Sequence, residues 1–157
     1  MTTMLHRHRL ALIALAVLGL GASAYALFVH YQLMVDPAYS AACEISETVS
    51  CQQVFQSAYG SVAGVPVAAG GAIWSALVLL LAAWGMRHPA SEQAGRVAGY
   101  IFLLATLGLA AVFYFAYASF FVLGQACIVC MTMYVSVAGI FLVSVAAARA
   151  LWGIATR

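Results

Sequence analysis

Four cysteines, arranged as two pairs, are the residues whose type and spacing could do chemistry. Cys43 and Cys51 enclose seven mostly polar residues, whereas Cys127 and Cys130 form a C-x-x-C pair. A cysteine thiolate attacks disulfides and electrophiles, so two pairs held at one surface could exchange disulfides as a relay. Considered alone, the first pair would form a structural disulfide. A lone C-x-x-C is also consistent with two free cysteines that only pack in the interior. A zinc site usually has four ligands, so the C-x-x-C pair would need two more from Cys43, Cys51 and His30. No metal site is expected.

The composition belongs to a membrane protein. Of 157 residues, 66% are hydrophobic and 6% are charged, and the mean hydropathy is +1.05. Soluble domains carry about 25% charged residues, so a soluble domain, a disordered chain and a nucleic-acid binder are excluded. The chain also contains no Lys and no Asn. The cysteine chemistry must therefore be placed relative to a bilayer.

Four apolar runs predict four transmembrane helices. They cover residues 10–34, 64–86, 97–123 and 126–148. Each run exceeds the roughly 20 residues that a helix needs to cross the hydrocarbon core. The expected fold is an all-α membrane protein, with residues 1–157 forming one four-helix bundle domain. Glycines that would allow close helix packing recur along the runs; they are Gly64, Gly70, Gly71, Gly99, Gly108 and Gly139.

The arginines predict the orientation. All six lie in segments that a four-span chain places on one side of the membrane: Arg7, Arg9, Arg87, Arg96, Arg149 and Arg157. The positive-inside rule makes that side, with both termini, cytoplasmic. The loop at residues 35–63 and all four cysteines then face the extracytoplasmic side, where disulfides persist. Abundant Ala, and Arg without Lys, suggest a high-GC bacterium, so the expected location is the bacterial inner membrane.

The first run also has features of a cleaved signal peptide, because Ala22-Ser23-Ala24 has the A-x-A form of a cleavage site. A signal-peptide core is about 7–15 residues long, and this run continues well past those alanines. Cleavage would also leave only three spans. A signal anchor is therefore favoured.

Local signals place Cys51 and the C-x-x-C pair at helix starts on the outer face. Ser50 can cap a short helix over residues 51–59, in which apolar residues recur at helical spacing. The C-x-x-C pair lies in the first turn of the fourth helix, where free N–H groups and the helix dipole stabilise a thiolate. Cys130 lies about 4.5 Å deeper than Cys127, at 1.5 Å per residue. Cys127 is therefore expected to face the loop, and Cys130 an apolar molecule in the bilayer.

The combined pattern resembles the vitamin K epoxide reductase family, in particular its prokaryotic members. The features that carry the resemblance are the order of the spans, the spacing Cys43-x7-Cys51-x5-Ser57, the segment Gly64-Val-Pro-Val-Ala and the motif Cys127-Ile-Val-Cys130-x3-Tyr134. Each piece alone is weak, but together they cover nearly the whole chain.

The resemblance implies that electrons pass from an extracytoplasmic thioredoxin-fold partner to a quinone in the membrane. Cys43 and Cys51 match the loop pair that shuttles electrons. Cys127 matches the cysteine that exchanges with Cys51, and Cys130 matches the one that attacks the quinone ring. The polar segment between the loop cysteines is expected to be solvated, which makes Cys43 the cysteine most accessible to the partner. Ubiquinone, menaquinone and vitamin K all fit this implication.

The resemblance points to two further site residues, and the sequence differs from the family in two respects. Ser57 matches the family's Ser/Thr near the site, and Tyr134 its aromatic residue on the fourth helix, so both are expected to bind the quinone. Tyr134 is four residues after Cys130 and shares its helix face. Animal members carry an Asn that hydrogen-bonds the vitamin's oxygen, and this chain has none. Some bacterial members carry a fused thioredoxin-like domain, which this sequence lacks, so the partner is expected in trans.

The expected function is a quinone-dependent membrane thiol oxidoreductase that generates disulfides in its partner. One alternative is a vitamin K (epoxide) reductase that uses the same relay. Another is a non-enzymatic, disulfide-stapled membrane scaffold or small transporter. Spans without acidic or Lys residues argue against an ion path. His30, near the outer end of the first span, is expected to be a packing residue.

Overall fold

The structure is a computed structural model that describes residues 2–36, 38–87 and 92–155. Within these ranges the helices are α1 (Thr2–Val35), α2 (Cys51–Gln56), α3 (Val67–Arg87), α4 (Glu92–Tyr117) and α5 (Ile128–Ala155). Four segments are long and apolar enough to cross a membrane: Arg7–Val35, Val67–Gly85, Gly95–Leu123 and Ile128–Arg149. The predicted four-helix membrane bundle with a short helix in the loop between the first two spans is confirmed. Arg157 lies outside the described residues.

A buried apolar cluster, here the inner cluster, fills the end of the bundle remote from the cysteines. Its members come from all four spans: Leu12, Ala16, Val78, Ala82, Ile101, Ala105 and Ile140. The contacts of α1 with α5 run from Leu15 near Gly139 to Ser23 near Met133, so these two helices are antiparallel. Because lipid tails are as apolar as these side chains, close fit rather than burial from water holds the helices together.

Close helix approach depends on three of the predicted glycines. A Cβ added at Gly71, Gly108 or Gly139 would meet a side chain of a neighbouring helix at 2.7–2.9 Å. Gly64, Gly70 and Gly99 have nothing near their Cβ positions, so the packing prediction was wrong for these three.

The second span begins later than its hydropathy predicted. Two short antiparallel strands precede the helix: β1 (Ser61–Val62) and β2 (Val65–Pro66). Ala63 and Gly64 join them with φ values of 51° and 80°, as a tight two-residue hairpin turn requires. Hydropathy does not distinguish this apolar hairpin from the helix that follows it at Val67.

The third span ends in a π-helical segment, Ala118–Leu123, which no sequence pattern predicted. It stops at Gly124, whose φ of 65° is left-handed and whose N–H donates to the Ser119 carbonyl. α5 then begins at Ile128 instead of the predicted residue 126. The residues between the two helices are therefore available to pair with the outer loop.

Candidate redox site

Backbone hydrogen bonds fasten the outer loop to the segment before α5. Ala126 donates its N–H to the Thr48 carbonyl at 2.9 Å, and Ser50 donates its N–H to the Ala126 carbonyl at 3.1 Å. These bonds form an isolated parallel bridge between the two segments. Cys51 and Cys127 directly follow the bonded residues Ser50 and Ala126, so the bridge sets the two cysteines side by side.

The predicted cap of the loop helix is confirmed, and a carboxylate reinforces it. Ser50 Oγ accepts a hydrogen bond from the Gln53 N–H at 3.1 Å. Glu44 Oε1 accepts from Ser50 Oγ at 3.1 Å and from the Gln52 N–H at 2.7 Å. A negative charge at a helix start is favourable, so Glu44 helps to hold α2 in place. Sequence reasoning missed Glu44, and α2 is three residues shorter than predicted.

All four predicted cysteines come together at the outer end of the bundle. Cys43 and Cys51 form a disulfide, and the Cys51 sulfur lies 3.6 Å from the Cys127 sulfur. Cys127 and Cys130 are free thiols. The sulfurs form one path from the loop to α5, in the order that the resemblance implies. In the described part of the chain, no group of three or more His, Cys, Asp or Glu side chains could hold a metal ion.

The expectation that Cys43 is exposed was wrong. Cys43 is 7% exposed, and Cys51 and Cys127 are fully buried. All three belong to a buried group, here the outer cluster, whose other members are Ala26, Val29, Ala41 and Phe55. The loop folds back onto α1 and covers its disulfide, so the polar residues between Cys43 and Cys51 do not keep these sulfurs in solvent.

Cys127 takes the N-cap position of α5. Its Sγ accepts the backbone N–H of Cys130 at 3.2 Å, and its carbonyl accepts the N–H of Met131 at 2.9 Å. A hydrogen bond from the Cys130 thiol, together with backbone N–H groups of the first turn, lowers the pKa of Cys127 below its ordinary value, although burial opposes this. The helix start therefore stabilises a thiolate at the cysteine that faces the loop disulfide.

A cavity of about 370 Å³ lies between the four spans and beneath the loop helix. Large apolar side chains form much of its wall, among them Phe55, Trp74 and Phe115. Of the four cysteines, Cys130 alone lines the cavity, and Tyr134 lies in the same wall. Small-molecule sites are typically apolar spaces of about 300–1,000 Å³, so the cavity fits an apolar ring held next to the Cys130 sulfur.

The polar groups of the cavity wall differ in what they can offer a ligand. The Trp74 indole and the Ser119 hydroxyl both donate to backbone carbonyls, so neither has a proton left to donate to a ligand. Among the described residues, the Ser23 hydroxyl has only the Met133 sulfur as acceptor, at 3.6 Å, and sulfur is a weak acceptor. Within the described residues, the Tyr134 hydroxyl and the His30 imidazole have no hydrogen-bond partner. Sequence reasoning missed Ser23, because a single serine in a span carries no signal of its own.

Ser57 does not line the cavity. It ends α2, where its hydroxyl donates to the Val54 carbonyl at 2.7 Å and accepts from the Tyr59 N–H at 3.2 Å. The structure therefore brings Tyr134, but not Ser57, into the cavity wall with Cys130. A role for Ser57 in binding a quinone stays a prediction.

A loop disulfide in contact with a C-x-x-C thiol, which leads to an apolar cavity in a four-helix membrane bundle, is an arrangement suited to a membrane oxidoreductase. The profile of the vitamin K epoxide reductase family matches residues 10–145. Vitamin K epoxide reductase complex subunit 1 of Mus musculus and that of Rattus norvegicus are each 32% identical to this chain over 146 residues, which cover 84% of the chain and 85% of either relative. The chain belongs to the vitamin K epoxide reductase family, and the predicted resemblance is confirmed.

Proposed function

We propose that this protein is a quinone-dependent oxidoreductase that generates disulfides in an extracytoplasmic thioredoxin-fold partner. The observation that carries the proposal is the 3.6 Å separation of the Cys51 and Cys127 sulfurs, with Cys130 in the cavity wall. Reacting atoms held at about 3–3.5 Å are close to their reactive geometry. The loop pair and the C-x-x-C pair are therefore nearly placed for exchange.

Electrons enter at the loop disulfide. A partner thiolate attacks Cys43, which keeps 7% exposure while Cys51 has none. Cys51 leaves as a thiolate and attacks Cys127 of a Cys127–Cys130 disulfide, so that Cys130 is released as a thiolate in the cavity wall. When the partner's second thiol frees Cys43, that cysteine closes its disulfide with Cys51 again.

The cavity supplies the second half of the reaction. A bound quinone would provide the two-electron acceptor for the Cys127–Cys130 pair, and the aromatic wall would hold its ring. The Tyr134 hydroxyl is free to donate to a ring oxygen. Ser23, bonded only to a sulfur, can offer the polar contact for which animal members use an Asn. Ubiquinone, menaquinone and vitamin K share the ring chemistry that these groups would recognise.

The orientation is part of the proposal. Arg9, Arg96 and Arg149 lie at the helix ends remote from the cysteines, so the positive-inside rule puts the cysteines on the extracytoplasmic face. A membrane-impermeant thiol reagent should label Cys43 in intact cells after mild reduction. Labelling that appears only in broken cells would mean that the topology is inverted.

The function is tested by two assays on Cys43→Ala, both of which follow quinol formation. Dithiothreitol supplies the electrons in the first assay, and a reduced thioredoxin-fold protein supplies them in the second. Activity with dithiothreitol should persist, because Cys51, Cys127 and Cys130 remain. Transfer from the folded protein should fall by about 100-fold or more, since its entry point is lost.

Three results would contradict this assignment in different ways. Equal losses in both assays would make Cys43 a structural member of the site. No loss in either would mean that the partner meets the Cys127–Cys130 pair directly. Wild-type protein that reduces no quinone with either donor would overturn the proposed function itself.

A further inference from the structure

The cavity carries an imidazole that the cysteine relay leaves without a role. His30 lines the cavity near the outer end of α1 and is partly exposed. Its ring meets Phe55 edge to face, with the ring centroids 6.5 Å apart. Phe55 lies on α2, four residues after Cys51. His30 therefore packs against the same short helix that carries the relay cysteine.

Helix geometry places His30 a short distance outward of Cys130. The Ser23 hydroxyl meets the Met133 sulfur at 3.6 Å, which sets the register of α1 against α5. His30 is seven residues, or about 10 Å, outward of Ser23, and Cys130 is three residues, or about 4.5 Å, outward of Met133. Along the bundle axis His30 and Cys130 thus differ by about 6 Å. Tyr134 lies on the inner side of Cys130, so His30 and Tyr134 mark opposite ends of the reactive part of the cavity.

The proposed reaction needs one proton that the thiols do not supply. Cys127 and Cys130 together give up two electrons and become a disulfide, while reduction of a quinone to a quinol takes up two protons. Cys130, released as a thiolate, takes up a proton to become the thiol that hydrogen-bonds to the Cys127 sulfur, and it brings that one proton to the reaction. Cys127, whose sulfur is held by a backbone N–H of the helix start, enters as a thiolate and brings none. Another group in the cavity must therefore provide the second proton.

We propose that the His30 imidazolium delivers this second proton at the outer end of the cavity, an inference that rests on the quinone-dependent function proposed above. Among the described residues, the other titratable groups of the wall are Tyr59 from the loop and Cys130 and Tyr134 from α5, and the described parts of α3 and α4 contribute none. A phenol keeps its proton at neutral pH, whereas an imidazole changes charge between about pH 5 and 8. The Glu44 carboxylate is engaged at the start of α2.

The step balances in atoms, charge and electrons. One thiolate, one thiol, one imidazolium and one quinone give one disulfide, one quinol and one neutral imidazole. His30 lies near the outer end of the span Arg7–Val35, so water that enters from the outer surface would restore its proton before the next cycle. His30 thus links the buried redox step to protons from the outer solution.

A pH profile of quinol formation, with dithiothreitol as the electron donor, tests the role. Because the charged imidazole is the donor, the wild-type rate at a saturating dithiothreitol concentration should decline as the pH rises. His30→Gln and His30→Phe should lower the maximal rate by roughly 100-fold, as loss of a general acid does. Both should also lack that decline. His8→Gln, at the other end of α1, is the matched control and should keep the wild-type profile.

A second measurement needs no turnover. Diethyl pyrocarbonate modifies neutral imidazole, and mass spectrometry can quantify the modification of each histidine. Without a thiol donor, a short-chain benzoquinone should protect His30 severalfold but leave His8 unprotected. The readout reports directly whether the quinone occupies the cavity at His30.

The outcomes separate this inference from the function on which it rests. A His30→Phe protein with the wild-type rate and profile would show that the ring serves only to pack against Phe55. Equal modification of His30 with and without benzoquinone would place the quinone elsewhere. If the wild type forms quinol but either of these results is found, the proton role falls and the proposed function stands. If the wild type forms no quinol, both fall.

Discussion

The two ends of the bundle are built from different structural elements and different residue types. The inner cluster draws its seven buried side chains from the four spans, and all of them are aliphatic. The outer cluster takes its buried members from α1, the loop, α2 and the residue before α5, and three of its seven members are cysteines. The described parts of α3 and α4 contribute no buried member to it. The cavity lies where the two arrangements meet.

This difference separates the part of the molecule that holds the spans from the part that reacts. A disulfide relay has to move, because Cys51 must bond first to Cys43 and then to Cys127. The loop that carries Cys51 is fastened by a few hydrogen bonds at Thr48 and Ser50. Those bonds can loosen while the inner cluster stays packed. Variants at the two ends should therefore affect different measurements.

Replacing Cys130 with Ser should have the largest effect. Quinol formation should fall by about 1,000-fold or more, because no other cysteine lines the cavity. The Cys51 sulfur lies 3.6 Å from that of Cys127, so a disulfide between these two should accumulate. Mass spectrometry of unreduced digests would identify that bridge. A Cys130→Ser protein that reduces quinone at the wild-type rate would contradict the role of Cys130 as the cysteine that passes electrons to the quinone.

Gly60→Ala should disturb the outer end alone. A Cβ at Gly60 would overlap the backbone of Phe55, so α2 would have to shift. Such overpacking costs about 1–3 kcal/mol. If the shift separates Cys51 from Cys127, the rate of dithiothreitol oxidation should fall by about tenfold, while thermal unfolding of the spans changes little. Gly99→Ala is the control, because nothing lies near its Cβ position. Equal effects from both variants would contradict the assignment of Gly60 to the loop site.

The sequence predicted best where physical constraints act locally. The bilayer requires long apolar helices, and all four spans were found from hydropathy. Ser50 identified the start of α2 because its hydroxyl caps the nearby Gln53 N–H. The cysteine spacing, through the family resemblance, also indicated the order in which Cys51 and Cys127 meet.

Features that depend on distant contacts were not predicted. The backbone bridge between Val49 and Ala126 joins segments that are far apart in sequence, and no local pattern predicts it. The same folding back of the loop buries Cys43, although its neighbours are polar. Ser23 and His30 reach the cavity because of which helix faces meet, and hydropathy carries no information on that choice.

Ile140→Ala tests the inner end and should have the smallest effect on the relay. Ile140 is fully buried in the inner cluster, and in a soluble core its truncation would cost about 2–5 kcal/mol. Part of that cost is transfer from water, which disappears here because the unfolded side chain would contact lipid instead. The remaining packing loss should lower the free energy of unfolding by about 1.5 kcal/mol, measured by denaturant titration in detergent. Leu142→Ala, on the same helix but 66% exposed, should change it by less than about 0.5 kcal/mol. Below the unfolding transition, both variants should oxidise dithiothreitol at the wild-type rate. A slower rate in folded Ile140→Ala protein would show that packing in the inner cluster affects the cysteine site. The two ends of the bundle would then not act independently.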